Sequence, residues 1–386
     1  MRALYILLLI FFASCGEKET PIPDVKTEGI RIVENIQGDV NWSNENVYIL
    51  SGRITVTPGS TLTIEPGTII KGESGSGANA ASLLISRGAR IYAEGTEQLP
   101  IIFTSVADEI TPEDVRLGIF ESPNLRQDIT GLWGGLIVLG NAPISASTET
   151  SQIEGIPTSD NYGLYGGSAP EDNSGVLKYI SIRHGGTNIG SGNEINGLTL
   201  GGVGSNTVVE NIEIVANQDD GIELFGGTVN VRNLVVWNVG DDAIDTDQAW
   251  SGTIDNFLVV SPQGHCFELD GPEGILLGKH TIKNGSVIAS HDIFYAIDLI
   301  NTDENSRVSL ENIYFTEILP GQKINRTFHP DGEVDFIDIF LNTQVLQDCV
   351  NGDVPENVHL GGNSQIDSEN FSWTWVHFQG IFQILQ

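Results

Sequence analysis

The amino-acid sequence predicts an all-β fold, a right-handed parallel β-helix solenoid with three short strands per coil. Short runs of aliphatic and β-branched residues are separated by Gly, Pro, Asn and Asp, and no helical period lies between them. A seven-residue pattern recurs along the chain, and its third place is almost always Asn. The place before that Asn alternates between acidic and basic residues from one repeat to the next.

The repeat is clearest between residues 177 and 316. From Val209–Val215 onward, successive repeats begin 22, 23, 28 and 28 residues apart, which fits one coil per repeat. Because coils stack ~4.8 Å apart, we expect the Asn side chains to hydrogen-bond along the axis as a ladder. The Asn positions are Asn211, Asn233, Asn256, Asn284 and Asn312, and Tyr179 takes the same place one repeat earlier.

The residues before each Asn support this register independently. Like charges ~5 Å apart on neighbouring coils would repel, and alternating signs remove that penalty. We call this set the charge column, and it consists of Lys178, Glu210, Arg232, Asp255, Lys283 and Glu311. The same register turns apolar side chains inward, and we expect these to form the core. One such column is Ile180, Ile212, Leu234, Phe257 and Ile313, interrupted by Gly285.

The first 28 residues predict export and lipidation. Arg2 precedes the eleven-residue apolar stretch Ala3–Ala13, which suits a signal peptide and is too short to span a bilayer. Phe12-Ala13-Ser14-Cys15 then resembles a bacterial lipobox, which implies removal of residues 1–14 and lipidation of Cys15; an ordinary signal peptide with unmodified Cys15 is the alternative. Residues 15–28 are expected to be a lipidated tether. The lipid would be the only membrane anchor, placing the protein at the outer membrane, with exposure on the cell surface left open.

We expect the β-helix over residues 29–320, with loop insertions near 107–130 and 145–175. A C-terminal extension and cap is expected over 321–386. The aromatic run Phe371–Phe378 is predicted to be a strand that covers the open edge of the last coil. A sugar-stacking platform is the alternative for this run.

Composition excludes some partners. The chain has 18 Lys and Arg against 51 Asp and Glu, a net charge of -33, so phosphate backbones and anionic headgroups would repel it. We therefore expect no nucleic-acid partner. Cys266 and Cys349 would meet an oxidising compartment, where they either form one disulfide or remain buried free thiols.

Several phrases carry a family resemblance. They are Leu62-Thr-Ile-Glu-Pro-Gly67, Gly131-Leu-Trp-Gly-Gly135, Glu194-Ile-Asn-Gly-Leu-Thr-Leu-Gly-Gly202 and Asp219-Asp-Gly-Ile-Glu-Leu-Phe-Gly-Gly227. With the repeat, they make residues 47–316 resemble the right-handed β-helix, or pectin-lyase-like, superfamily, and more narrowly a group of bacterial secreted β-helix lipoproteins. The superfamily includes pectate lyases, polygalacturonases, adhesins and passive stalks. The resemblance therefore implies the fold without choosing an activity.

The segment Asp219–Asp270 contains ten acids and one base. Stacked carboxylates ~5 Å apart repel by about 1 kcal/mol per pair in water, and Ca²⁺ is the hard, oxygen-seeking cation that would relieve this repulsion. One hypothesis is a Ca²⁺ site, and a solvated acidic face with Asx turns at the coil corners is the other. The candidate ligands are an outward column of Glu223, Asp245 and Glu268, with Asp220 and Asp242 at the strand entrances beside His265; Asp247 and Asp270 lie at the exits.

The same segment resembles a catalytic pattern. Polygalacturonase-type glycoside hydrolases carry Asn-x-Asp, Asp-Asp and Gly-His-Gly on successive coils, and Asn217-Gln-Asp219, Asp241-Asp242 and Gly264-His265 match that order. The resemblance implies that Asp219 and Asp241 would act as bases on water, Asp242 as general acid, and His265 as its orienting partner. The match is incomplete, since Cys266 replaces the second Gly and no Arg-x-Lys follows.

The sequence favours a non-catalytic cell-envelope lipoprotein whose β-helix binds or presents a glycan or another envelope protein, with Ca²⁺ as the candidate cofactor. The alternative is a polysaccharide-active enzyme. It would be a polygalacturonase-like inverting glycoside hydrolase that uses the acidic segment between 219 and 270 on an acidic or plant- or algal-type polysaccharide.

Overall fold

The computed structural model describes residues 29–75, 77, 80–187 and 195–386. The predicted signal peptide, the lipidation site Cys15 and the tether to residue 28 lie outside the described residues. In the described part of the chain, no helix is both long and apolar enough to cross a membrane.

Strands dominate the described residues, which also form two short α-helices. The helices are α1 Pro112–Arg116 and α2 Trp375–Phe378. The strands are β1 Ile30–Ile32, β2 Asp39–Trp42, β3 Val47–Leu50, β4 Arg53–Val56, β5 Thr61–Ile64, β6 Ile69–Gly72, β7 Ser82–Ile85, β8 Arg90–Glu94, β9 Ile101–Ser105, β10 Leu136–Leu139, β11 Ser151–Gln152, β12 Leu164–Tyr165, β13 Gly175–Arg183, β14 Leu198–Gly201, β15 Val208–Val215, β16 Ile222–Phe225, β17 Asn230–Trp237, β18 Ile244–Asp247, β19 Thr253–Val260, β20 His265–Leu269, β21 His280–Ile288, β22 Ser290–His291, β23 Phe294–Tyr295, β24 Asp298–Thr302, β25 Arg307–Thr316, β26 Glu333–Leu341 and β27 Val358–Leu360.

Two large parallel sheets form the walls of the solenoid. Sheet A has the order β1-β3-β6-β9-β13-β15-β17-β19-β21-β25-β26-β27, and β2-β5-β8 joins it at β13. Sheet B has the order β24-β20-β18-β16-β14-β10-β7-β4. Neighbouring strands are one coil apart in sequence and run parallel, which is the connectivity of a parallel β-helix. The predicted fold class is confirmed.

The three strands per coil become two in the later coils. β2, β3 and β4 are separate, as are β5, β6 and β7, but β13 pairs with both β8 and β9. From β13 onward, the first two strands of each coil are therefore one long strand, bent at a residue with positive φ. That residue is Tyr179 (φ 51°) in β13 and Asn211 (φ 58°) in β15. Asn enters the left-handed region more readily than most residues, so the predicted Asn column forms the corner of the coils.

The Asn side chains hydrogen-bond from coil to coil, as predicted. The bonds run from Asn233 to Asn211 (2.9 Å), from Asn256 to Asn233 (2.7 Å) and from Asn312 to Asn284 (2.9 Å). The ladder is interrupted once, because Asn284 donates to Asp255 instead (2.7 Å). At the interruption, Asn256 accepts from the backbone N–H of Asp367 (2.8 Å) and donates to its carbonyl (3.2 Å). The C-terminal region is therefore attached to the corner of the solenoid.

The charge column has the predicted register. Its pairs are Lys178 with Glu210, Glu210 with Arg232, Arg232 with Asp255, Asp255 with Lys283, and Lys283 with Glu311. The predicted inward columns are buried in one continuous core. Gly285 leaves a gap in its column that the ring of Phe257 fills, since a Cβ at Gly285 would overlap that ring.

The C-terminal region differs from the prediction. Parallel pairing continues beyond residue 320, because β26 and β27 extend sheet A. The predicted strand Phe371–Phe378 is wrong, since a 3-10 turn, Ser368–Phe371, is followed there by α2. We call residues 361–386 the C-terminal strap.

The strap lies along the side of the solenoid, and the prediction that Phe371–Phe378 covers the end of the last coil is also wrong. Trp373 packs against Tyr179 (5.6 Å between ring centroids) and Trp375 against Trp237 (6.0 Å). The physical reason is that the outer face of these coils carries apolar side chains that need cover. They include Val215, Val235, Leu258 and Ile288.

Two long loops cover other parts of the surface. The loop 107–130 contains α1, which begins with a capping box at Thr111, and it packs Val115 and Phe120 into a cluster with Trp373. The loop 145–175 covers the outer face of sheet B at β7 and β10 with Ile153 and Tyr165. Cys266 and Cys349 are buried free thiols, so the disulfide option is wrong.

Candidate functional site

The acidic residues lie on the outward face of sheet B and at the entrances of its strands, beside loop 145–175. The register confirms the predicted column, with Glu223 opposite Asp245 and Asp245 opposite Glu268. Thr199 precedes Glu223 in the column and Asn301 follows Glu268. The carboxylates therefore occupy three adjacent coils between two neutral polar residues. We call this group and its neighbours the acidic cluster.

Asp220, Glu223 and Asp245 form the first group of the acidic cluster. One carboxylate oxygen from each lies within 4.8 Å of the others. Asp220 is 8% exposed and Glu223 is 6% exposed, so the alternative of a solvated acidic face does not describe them. Oδ1 of Asp245 is buried and has no hydrogen-bond partner among the described residues.

Burial raises the pKa of all three carboxyls in this group. Each pKa is raised further by neighbouring carboxylates, chiefly Asp245 acting on Asp220 and Glu223, and Glu268 acting on Asp245. The charged neighbours that raise these three pKa values are therefore all acidic residues. At neutral pH, such a group needs bound protons or a bound cation to balance its charge.

Two residues that the repeat did not predict border this group. Asn196 donates through Nδ2 to Glu223, and through the same nitrogen to Glu154 (3.2 Å). Glu154 belongs to loop 145–175, and its carboxyl hydrogen-bonds that of Glu223, which adds to the raised pKa of Glu223. Asn196 is 1% exposed and its Oδ1 has no partner in the described part of the chain. The loop thus contributes a fourth carboxylate.

The strand entrances hold a second arrangement, and it follows the predicted order. Asp220 Oδ1 accepts the backbone N–H of Asp242 (2.9 Å). Asp242 Oδ1 in turn accepts the backbone N–H of His265 and its ring Nδ1 (2.9 Å for the ring). These carboxylates therefore link neighbouring coils.

Asp242 and His265 each shift the pKa of the other toward its charged form. Burial alone would raise the pKa of Asp242, but hydrogen bonds from His265 and Glu268 outweigh it, so the pKa lies below its ordinary value. Burial alone would lower the pKa of His265, but the bond to Asp242 and its charge raise it. An ionised Asp242 that is 2% exposed accepts protons poorly and has none to donate. This is not the environment that a general acid requires.

Glu268 completes the group with Asp242 and His265, whose candidate ligand atoms lie within 4.8 Å of one another. The hydrogen bond to Asp242 raises the pKa of Glu268 to about 8, and burial contributes. Glu268 therefore carries a proton at neutral pH that it donates to Asp242. Asn301 donates to Glu268 from the next coil (3.0 Å).

The candidate bases of the hydrolase hypothesis do lie together. Asp219, Asp220 and Asp241 form a third group with oxygens within 4.8 Å of one another. At the strand exits, burial raises the pKa of Asp247 to about 7 and that of Asp270 to about 6. The structure thus brings the predicted metal-ligand and catalytic residues together on one side of sheet B.

The donor set decides which ligand the acidic cluster suits. Asp220, Glu223, Asp245 and Glu154 offer carboxylate oxygens only, and oxygen is the donor that hard cations such as Ca²⁺ prefer. The unpartnered Oδ1 of Asp245 lies within this set. The residues present therefore fit a Ca²⁺ ion better than they fit a softer metal, because softer metals prefer nitrogen or sulfur ligands.

Comparisons with known proteins bear on the fold. Searches of the curated proteins and of the solved structures gave no significant match. The family model described as a pectate-lyase like beta helix domain matches residues 34–348, which is more than half of the chain. This range contains all the strands of sheets A and B except β1 and β27. The chain therefore belongs to the pectate-lyase-like β-helix domain family.

Proposed function

We propose that this protein is a lipid-anchored binding protein of the bacterial cell envelope, and that Ca²⁺ at the acidic cluster assists binding of a glycan or a protein. One observation carries the Ca²⁺ part of the proposal. Asp220, Glu223 and Asp245 bring carboxylate oxygens within 4.8 Å of one another, and one buried Asp245 oxygen has no partner in the described chain. A cation would neutralise this group without requiring protonation.

The residues themselves suggest what the ion would do. Asp220, Glu223 and Asp245 would hold it from neighbouring coils, and Glu154 would add a ligand from loop 145–175. Bound Ca²⁺ would supply positive charge and open coordination positions for ligand oxygens. It would also tie the loop to the coils, which would fix the shape of the surface beside it.

Binding is favoured over cleavage by the state of Asp242. The polygalacturonase-like alternative requires Asp242 to donate a proton, whereas its pKa is lowered by His265 and its side chain is almost fully enclosed. The adjacency of Asp219 and Asp241 is the observation that favours the enzyme alternative, since two adjacent carboxylates suit positioning of a water molecule.

The envelope location is proposed from the sequence around Cys15. The lipobox resemblance and the short apolar stretch before it support export and acylation. The strongly acidic composition supports attachment through lipid rather than through a basic surface, because anionic headgroups would repel the chain.

A calcium titration tests the function. After EDTA treatment and dialysis, the melting temperature should rise with added CaCl₂ by the equivalent of about 2.7 kcal/mol at 100 times the Kd. Asp245→Asn should remove most of that rise, because Asp245 is the middle carboxylate of its column. Glu356→Gln, which alters an exposed carboxylate, is the matched control and should respond like the wild type.

Two outcomes would contradict the proposal in different ways. No Ca²⁺ response in the wild type, beside an Asp245→Asn variant that is more stable, would show that the acidic cluster binds no cation. Release of reducing ends from polygalacturonate by the wild type, abolished in Asp241→Asn, would establish the enzyme alternative.

A further inference from the structure

A polar groove runs along sheet A over the charge column. It consists of two adjoining cavities of about 400 and 560 Å³, which share Glu210, Arg232 and Asp255 in their linings. One wall of the larger cavity is the C-terminal strap, through Gln365 and Asp367. Both volumes lie in the range of ligand sites. The strap therefore converts an otherwise open outer face into a groove.

The cationic groups in the groove are free to bind a ligand. The side chains of Arg232 and Lys283 form no ion pair or hydrogen bond with any described residue, although the register places them beside carboxylates. Glu210 is paired instead with Lys178 (3.5 Å), and Asp255 accepts from Asn284 (2.7 Å). The groove thus presents unused N–H donors next to carboxylate acceptors.

The charges of the lining nearly cancel. Glu210, Asp255 and Asp367 contribute three negative charges, and Arg232 and Lys283 contribute two positive ones. This balance is unusual on a chain with a net charge of -33. A ligand that is strongly cationic or anionic gains little here, so the lining favours a neutral ligand with many polar groups.

Hydroxyl groups match this lining best. Each hydroxyl donates one hydrogen bond and accepts others, so it pairs equally with a guanidinium, a carboxylate or an amide. The lining repeats this mixture along the axis at the coil spacing of ~4.8 Å. In an extended peptide, the side chains on one face recur every ~6.8 Å. We propose that the groove between the charge column and the C-terminal strap binds a neutral glycan that lies along the solenoid axis.

This site shares no residue with the acidic cluster, and it goes beyond the calcium-dependent function proposed above. The cluster lies on sheet B, whereas the groove lies on sheet A and is lined by the corner residues Asn233 and Asn256. Glycan binding in the groove is therefore expected in EDTA, and it should survive Asp245→Asn.

Calorimetric titration with neutral hexasaccharides tests the proposal. The probes are cellohexaose, laminarihexaose, mannohexaose and maltohexaose, titrated into the folded protein in EDTA. At least one should bind with a Kd below about 1 mM. Arg232→Ala and Lys283→Ala should each weaken that binding about tenfold, which is the effect of losing a charge-assisted hydrogen bond. Arg116→Ala, on the exposed helix α1, is the control and should leave the Kd unchanged.

Three results would overturn the proposal. The first is that no hexasaccharide binds with a Kd below about 1 mM. The second is glycan binding that Arg232→Ala and Lys283→Ala leave intact. The third is binding of a Gly-Thr dodecapeptide in place of the glycans, which would assign the groove to a protein partner. Melting curves of each variant would show that the fold is retained.

Discussion

A substitution at Asp247, at the end of β18, tests whether the partly or fully buried carboxyls of sheet B control the pH dependence of stability. Burial, with a contribution from Glu273, raises its pKa from 3.8 to about 7, although the N–H of Gln248 (2.5 Å) acts in the opposite direction. In the unfolded chain, the same carboxyl loses its proton near pH 4. Folding therefore binds this proton, and the stability that it contributes is complete below about pH 4 and lost by about pH 7.

The size of this effect follows from the two pKa values. They differ by roughly three pH units, and each unit corresponds to about 1.4 kcal/mol, which gives an upper bound of about 4 kcal/mol. Asp247 is only half-buried, so solvent screening should reduce the measured effect to about 1–2 kcal/mol. Asp247→Asn cannot ionise, yet it keeps an oxygen that can accept the Gln248 N–H.

The assay is urea unfolding of the wild type and Asp247→Asn at pH 4.5 and pH 8, in EDTA. The variant should lose about 1–2 kcal/mol less than the wild type between these two pH values, with the slope m unchanged. Glu356→Gln controls for the loss of an exposed carboxylate. Equal losses in the wild type and in Asp247→Asn would refute the argument that burial holds a proton on this side chain.

Two further predictions concern the charge column and the anchor. Arg232→Glu places a carboxylate between Glu210 and Asp255, so it should lower the free energy of unfolding by about 1–2 kcal/mol, less in high salt. Changing both neighbours to Lys should restore most of the loss, and urea unfolding without any rescue would contradict this explanation. Cys15→Ser should release the protein from the membrane fraction of the cells that export it. A variant that remains in that fraction would contradict lipid anchoring.

The later coils were predictable because stacking turns spatial neighbours into a sequence period. A residue at the coil corner needs a positive φ, and the repeated Asn reports that requirement directly. The period was lost after residue 320 because other residues fill the same places. Asp338 occupies the corner with a φ of 54°, and Ile337 replaces the charged residue opposite Glu311. The backbone repeat continues there without the residue identities that reveal it.

The strap was mispredicted because its conformation depends on what it covers. The run Phe371–Phe378 has the composition of a strand, but it packs Trp375 and Val376 against an apolar outer face. Val376 also donates its backbone N–H to the buried carboxylate of Glu213 (3.1 Å). These partners lie on coils more than eighty residues earlier, so no local pattern could indicate them.

Only part of the acidic cluster could likewise be predicted from the sequence. Its columns were predictable because they follow the register of the coils. Glu154 and Asn196 were not, because they belong to a long loop and to the approach to β14, where no repeat applies. The sequence also could not show how deeply these carboxyl groups are buried. Glu223 belongs to the outward column and Asp220 to a strand entrance, yet both are almost completely enclosed.

The same coils carry different charge patterns on their two sheets. On sheet A, the charge column alternates in sign through six coils, which is the arrangement that avoids repulsion between neighbours. On sheet B, the acidic residues Glu223, Asp245 and Glu268 follow one another with no base between them. Burial and neighbouring carboxylates raise the pKa of Glu223 and Asp245. Stability alone would favour alternation on both sheets, because the solenoid accommodates it. The repeated carboxylates must therefore be balanced by protons or by a cation. Calcium should then reduce the loss of stability above about pH 4, because a bound ion would balance the carboxylates after they have released their protons.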